Sequence, residues 1–263
     1  MTMTIQQAID KITASVPGAP FPDTVDTIKS GDTSQVLTRI VVTFLATCDV
    51  IAQAARMGAN LIITHEPTFY NHRDSIGSLV SDPVYQAKRQ LLDNNQLVVW
   101  RFHDYLHSLE PDSTLVGLIT ELGWEANGPA EQPYLCDIQP MTLFELGQWV
   151  KKKLGLPLVR VVGDLSLPCQ RVALLPGFPA AEFQISCLGQ AGVDALITGE
   201  IHEWETSEFA RDATYLERRK GLIVTGHAAS EEPGMRWIIP WLAEQLPGVI
   251  IQFVPTGSPF HQI

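Results

Sequence analysis

Cysteines are few in this chain, and none lies near another: Cys48, Cys136, Cys169 and Cys187 offer no C-x-x-C spacing. Their scatter excludes a disulfide framework and a zinc knuckle and suits a reducing compartment. Long apolar runs are missing too. No stretch approaches the ~18 uninterrupted apolar residues of a membrane span. The opening Met1-Thr2-Met3-Thr4 has no basic segment leading into an apolar one, so no signal peptide is expected. Positive charge is scarce: 18 Lys and Arg face 29 Asp and Glu, a formal net charge of −11. Phosphate-binding surfaces need clustered cations, so nucleic acid is not an expected partner. The basic clusters Lys151-Lys152-Lys153 and Arg218-Arg219-Lys220 sit near expected helix ends, where cations complement the dipole. G-x-S-x-G, Walker A and Rossmann glycine motifs are all absent.

What remains is a globular chain of 263 residues, 45% hydrophobic and 18% charged, expected to be soluble and cytoplasmic. It has room for one large core or two domains of about 130 residues. Periodicity predicts helices near 5–12, 48–57, 82–94, 113–122, 142–154, 180–191, 207–220 and 231–245. Pro240 should interrupt the last of these. Strands are expected near 25–28, 36–45, 61–64, 97–100, 158–162, 171–175, 195–197, 222–224 and 249–254. The same order of elements occurs twice. It predicts two related α/β units, residues 1–130 and 131–263, with mostly parallel, mixed sheets covered by helices. The turn-rich segment from Gly128-Pro129 to Gln132-Pro133 is the expected seam.

Ligand sites in open α/β sheets lie beyond the carboxyl ends of the strands. The residues just past each expected strand are therefore informative. After 61–64 comes His65-Glu66; after 97–102 comes His103-Asp104, with His107 four residues past His103. After 195–197 comes Gly199-Glu200-Ile201-His202-Glu203, and after 222–226 comes His227, with Glu231 four residues on. Five of the seven histidines thus lie just past strand ends. Imidazoles and carboxylates so placed suit zinc, iron or manganese, one or two ions per chain. Simpler readings stand beside this one: Glu231 as a helix N-terminal carboxylate, Glu66 as a solvated turn residue, His227 as a core histidine. Asp104 is a candidate to orient His103 or His107. His202 and Glu203 read as surface residues, and His72 and His261 as incidental loop residues. No cysteine stands at a strand end beside a histidine, so a catalytic thiol is not expected.

At these residues the chain resembles the Nif three-like dinuclear-metal hexameric proteins, the GTP cyclohydrolase 1 type 2 homologue family. The motifs are Ile63-Thr64-His65-Glu66-Pro67-Thr68-Phe69, the stretch from His103 to His107, Ile197-Thr198-Gly199-Glu200, and Thr225-Gly226-His227-Ala228-Ala229-Ser230-Glu231. They span nearly the whole chain, the last being the most specific. The resemblance implies two interleaved, duplicated α/β halves and a homohexameric ring with metal sites facing an internal cavity. It marks His65, His227 and Glu231 as metal ligands and places His103 near the site. The family commonly carries a His-His pair where this chain has His65-Glu66, and Asp where it has His107. Trp204 replaces a residue that is often polar or His. Both replaced ligand positions still carry ligand-capable atoms.

The leading expectation is a metal-dependent hydrolase with His65, Glu66, His103, His107, His227 and Glu231 as the ligand pool. Glu66, His103 or Glu200 would serve as general acid or base on a small-molecule substrate of unknown identity. The alternative is a non-catalytic, metal-binding, ring-forming assembly or regulatory protein.

Overall fold

The short apolar runs become strands covered on both faces. The computed structural model describes residues 3–125, 127–128 and 130–261. It divides into two compact units, Met1–Ser113 with Met235–Ile263, and Thr114–Gly234. The expected seam includes Pro129, and the opening tetrapeptide includes Met1 and Thr2; these three lie outside the described residues.

The first unit runs α1 (Ile5–Ala14), β1 (Ile28–Ser30), β2 (Arg39–Thr43), α2 (Cys48–Arg56), β3 (Leu61–Thr64), α3 (Pro83–Asn94), β4 (Val98–Arg101) and α4 (Asp104–His107). The second holds α5 (Ser113–Leu122), β5 (Leu135–Thr142), α6 (Leu143–Lys153), β6 (Arg160–Val162), β7 (Pro168–Leu175), α7 (Ala181–Gly189), β8 (Ala195–Thr198), α8 (Thr206–Tyr215) and β9 (Gly221–Val224). Within α9 (His227–Trp237) the chain passes back to the first unit, which ends with α10 (Ile239–Gln245) and β10 (Ile250–Phe253).

The first sheet has the order β1-β4-β3-β2-β10, parallel except for β1. Side chains alternate across it as the pleat demands. Ile40, Val42, Leu61, Ile63 and Trp100 pack against α1 and α10; Val41, Ile62, Leu97 and Val99 pack against α2 and α3. The second sheet has the order β5-β7-β8-β9-β6, with β7-β8-β9 parallel and both edges antiparallel. Val172, Leu174, Ala195 and Ile197 face α5 and α6, whereas Ala173, Leu175, Leu196 and Leu222 face α7 and α8. Each fully buried Val, Leu or Ile side chain among these contributes roughly 1.5–3 kcal/mol.

Several expectations shift. The first unit takes back its C-terminal segment because β10 adds parallel to β2, so the boundaries fall at 113/114 and 234/235 rather than near 130. The strand expected at 25–28 starts at Ile28, because the Asp26 carboxylate accepts hydrogen bonds from the chain entering α4. β5 was hidden in sequence by Pro140. It is an edge strand with an irregular register between Asp137 and Met141, where proline is tolerated. The helix expected to reach 220 stops at Tyr215, and Glu217 and Arg219 adopt left-handed backbone. Pro240 does separate two helices, and α9 starts at His227, so His227 and Glu231 share one helical face.

The loop between β3 and α3 carries His65 and Glu66, and two buried cations hold it. One is Arg101 at the end of β4. The other is Lys88 of α3, whose Nζ donates to Thr68 O at 2.6 Å beneath the rings of Phe69 and Tyr70. Burial pushes the Lys88 ammonium from the ordinary 10.5 down to about 8. The folded protein therefore sheds this proton before the unfolded chain does. Stability should rise between pH 8 and 10.5, and the penalty of about 3 kcal/mol should be fully present below pH 8. Lys88→Met should flatten that rise. Urea unfolding of both proteins across the window measures it, and an unchanged slope in the variant would show that Lys88 is not its source.

Candidate metal centre

In the first unit, the parallel register sets Thr64 beside Thr43 and Arg101. The next residues on β3 and β4 are His65 and Phe102, then Glu66 and His103. Two short connections therefore bring the imidazoles of His65, His103 and His107 together. His65 stacks on His103 with centroids 4.6 Å apart and planes at 21°. His107 meets both rings edge-on, at 5.0 Å from His65 and 4.9 Å from His103. One ligand atom from each of the three lies within 4.8 Å of the others.

Every ring is oriented through Nδ1. His65 Nδ1 donates to Phe102 O at 3.3 Å, His103 Nδ1 to Asp104 at 2.9 Å, and His107 Nδ1 to Asp112 at 2.9 Å. A carbonyl or carboxylate acceptor puts the proton on Nδ1 and leaves Nε2 as the lone-pair nitrogen. Asp104 is itself fixed by Thr24 Oγ1 and Val25 N, at 2.8 and 3.0 Å. Asp26, buried, accepts from the backbone N–H groups of His103, Asp104 and Tyr105 and so pins the start of the one-turn α4.

The electrostatics favour a neutral imidazole at His103. Burial, and then the neighbouring His65 and His107, push His103 down to about 4, although Asp104 and Glu66 oppose them. Burial would raise Asp104, but hydrogen bonds from His103, Val25 and Thr24 take it down to about 2. The set fits a divalent ion. Nitrogens around one zinc at ~2.0–2.1 Å stand ~3.3 Å apart, a small contraction for side chains whose outer nitrogens are already tethered.

Glu66 occupies the edge of this cluster. Its Oε2 receives Arg101 Nη2 at 3.2 Å and its Oε1 lies 4.0 Å from His103 Nε2. Arg101 has no exposed surface and also donates to His65 O at 3.0 Å and to His72 O. Asp74, with Lys29 Nζ at 3.1 Å, closes the network. The expected ligands of this unit are thus brought together. Sequence reading missed Asp112 and Arg101, and it set aside His72, whose ring lies 5.7 Å from His103. Only the five-residue interval between His107 and Asp112 offered a signal.

The second unit brings His227, Glu200 and Glu231 together at the ends of β8 and β9. His227 Nδ1 lies 3.0 Å from Glu200 Oε2, and His227 Nε2 lies 3.1 Å from Glu231 Oε2. Both ring nitrogens face carboxylate oxygen. A doubly protonated ring satisfies that pairing, as does a cation shared by Nε2 and Glu231. Glu231 is buried, whereas Glu200 is half exposed. Ser230 Oγ accepts from Gly177 N at 2.9 Å and donates to His227 O at 2.7 Å. His202 stands apart, paired with Glu205 at 2.7 Å and stacked on Trp204 at 4.9 Å, with Phe178 edge-on. Burial raises the Cys136 thiol to about 11 and that of Cys169 to about 12.

Gly177 leaves room for the Glu231 carboxylate. Its φ is +72°, and an added Cβ would collide with Glu231 Oε1 and lie 3.4 Å from His227 Nε2. Gly58 has the same φ of +72° but open space around it. Gly58→Ala should cost ~1–2 kcal/mol, the left-handed penalty alone. Gly177→Ala should cost at least ~1 kcal/mol more. Chemical denaturation measures both, and equal losses would contradict the steric role.

Comparison with known proteins finds relatives over most of the chain. The GTP cyclohydrolase 1 type 2 homolog of Clostridium perfringens is 26% identical over 213 residues, spanning 77% of each chain. That of Escherichia coli K12 is 26% identical over 212 residues, 80% of this chain and 81% of its own. The crystal structure of a Bacillus cereus protein related to NIF3 superposes with a TM-score of 0.79 at 16% identity, covering 100% of both chains, a likeness of fold. A family profile described as Duf34/NIF3 (NGG1p interacting factor 3) matches residues 3–258, and the chain belongs to that family.

Proposed function

We propose that this protein binds one or two divalent metal ions and uses them in hydrolysis of a small molecule. The observation that carries this reading is the convergence of three imidazoles, each with its outer nitrogen held by a separate acceptor. His65, His103 and His107, with Glu66 beside them, are the ligand group of the first unit. His227 and Glu231 are that of the second. A bound ion would supply Lewis acidity toward a substrate oxygen and lower the pKa of a water. The chain's own residues then have defined tasks. Asp104 and Asp112 hold ring tautomers, Arg101 steadies Glu66, and half-exposed Glu200 exchanges protons with solvent as the general base.

The curated relatives' name points to a purine nucleotide, but among the described residues neither ligand group has a glycine-rich phosphate cradle or a cluster of exposed cations beside it. We leave the substrate class at small, hydrolysable molecules. A second reading, a metal-binding assembly protein that self-associates as a hexamer, is favoured by large side chains exposed on the second unit. Trp204 is 72% exposed and Tyr215 86%. Exposed apolar surface of this kind often marks association. Among the described residues no helix is long and apolar enough to cross a membrane.

Mass-spectrometric metal analysis of the purified, untagged protein tests the shared part. About one or two ions per chain are expected, with loss in His65→Ala and in His227→Ala. Full retention in both variants would overturn the ligand assignment. A panel of nucleotides and simple esters then separates the readings: metal-dependent turnover supports the hydrolase, and a metal-loaded hexamer without turnover supports the assembly protein.

A further inference from the structure

Just past Glu200, the second unit carries an aromatic cluster outside both ligand groups. Trp204 lies flat on His202, with ring centroids 4.9 Å apart and planes at 6°. Phe178 meets the same imidazole edge-on, at 4.9 Å and 84°. Glu205 Oε2, 2.7 Å from His202 Nδ1, sets the turn of the imidazole. All three aromatic residues are exposed, yet the segments that carry them are fixed. Gln184, fully buried on α7, donates through Nε2 to Pro179 O at 3.0 Å and to Glu200 O at 2.9 Å. Its Oε1 accepts from Thr206 Oγ1 at 2.6 Å. One buried amide thus ties the segment after β7 to the segment after β8 and to the start of α8. This is the carboxyl end of parallel strands, where open α/β sheets take their ligands. His202 is two residues from Glu200, and Phe178 adjoins Gly177, whose backbone borders Glu231.

Charge narrows what fits against the rings. Residues 199–206 hold three carboxylates, Glu200, Glu203 and Glu205, and neither Lys nor Arg. Arg160 pairs with Glu203 and His202 with Glu205, while Glu200 stays half exposed beside His227. Such a border repels an anion, whereas an indole face attracts a cation. The same acids disfavour a second copy of the chain as the occupant, because the cores of protein interfaces are poor in Glu.

We infer that Trp204, backed by His202 and flanked by Phe178, is a binding subsite for a planar aromatic group, neutral or cationic, on the substrate. The inference rests on the hydrolase reading above and supplies its substrate class: a small molecule with a flat ring that bears no anionic group. Trp204 makes the stacking contact. Glu205 and Gln184 are positioning residues, the first through His202 and the second through the two loops.

The experiment uses the full chain labelled with 5-fluorotryptophan, whose fluorine NMR signals report its six tryptophans. Trp204 is assigned by the signal missing from Trp204→Leu, an exposed replacement that spares the core. Four probes of similar size are titrated: 1-methylnicotinamide, nicotinamide, nicotinate and cyclohexanecarboxamide. The Trp204 signal should shift saturably with the first two, more tightly with the cation, and neither nicotinate nor the saturated amide should match them. Saturation-transfer NMR should show binding of 1-methylnicotinamide weakened at least about fivefold in Trp204→Leu and largely restored in Trp204→Phe. Equal binding of cyclohexanecarboxamide or nicotinate, or unchanged binding in Trp204→Leu, would overturn the inference. So would a Trp204 signal insensitive to all four probes, or a Trp204→Leu protein whose main change is a smaller assembly in sedimentation. Metal content measured on the same samples separates the two readings. Protein that holds metal but ignores the pyridines overturns the subsite alone; protein that binds them through Trp204 but takes up no metal overturns the metal-dependent hydrolase alone.

Discussion

Arg101 carries a guanidinium with no exposed surface, and a buried cation survives only if its donors are matched. They are matched by the segment just past β3: the carbonyls of His65 and His72 and the carboxylates of Glu66 and Asp74. The loop from His65 to Asp74 is thereby bound to the end of the neighbouring strand rather than left to solvent. Asp74 extends the hold, taking Lys29 on one side and the backbone N–H of Phe69 on the other. Within that grip, the direction in which His65 presents its ring is a property of the sheet. The histidine cluster inherits its rigidity from a strand end.

The two units solve one problem twice. Written from the antiparallel edge inward, β1-β4-β3-β2 corresponds to β6-β9-β8-β7. β3 and β8 hold equivalent central positions, and so do β4 and β9. The functional groups obey this correspondence, for His65-Glu66 leaves β3 as Gly199-Glu200 leaves β8. The units diverge in what each site needs. The first places an imidazole at the position after the strand. The second places glycine there, because an added Cβ at Gly199 would meet Ser230 Oγ and lie 2.6 Å from Gly177 O. The last strands differ as well: β10 runs parallel to β2, but β5 runs antiparallel to β7.

Much of this was legible in the residues. The buried central strands announced themselves as apolar runs, and each group just past one of them lies in one of the two clusters, His202 and Glu203 excepted. The duplication was visible as a repeated order of elements. What escaped reading depended on partners distant in sequence. β5 contains Pro140 and polar residues, and only pairing with β7 makes it a strand. Asp26 looks like any loop acid until α4 arrives above it. Arg101 reads as the polar end of a strand, and nothing local reveals that its charge is buried. Asp112 comes after a proline-containing turn, where an acid has many uses. The boundary between units was misplaced for a related reason, since no local signal says that 250–253 will pair with 39–42.

That last pairing bears on the order in which the molecule is made. The second unit occupies residues 114–234 without interruption, whereas the first is split around it. A chain emerging from the ribosome presents every strand of the second sheet before it presents β10. The later unit in sequence is therefore the earlier one to become complete, reversing the usual N-to-C progression of domains during synthesis. Until Ile250–Phe253 emerges, β2 remains an open parallel edge, a surface that invites pairing with other extended chains. The sheet that carries the three histidines is thus the one that waits for the emergence of Ile250–Phe253.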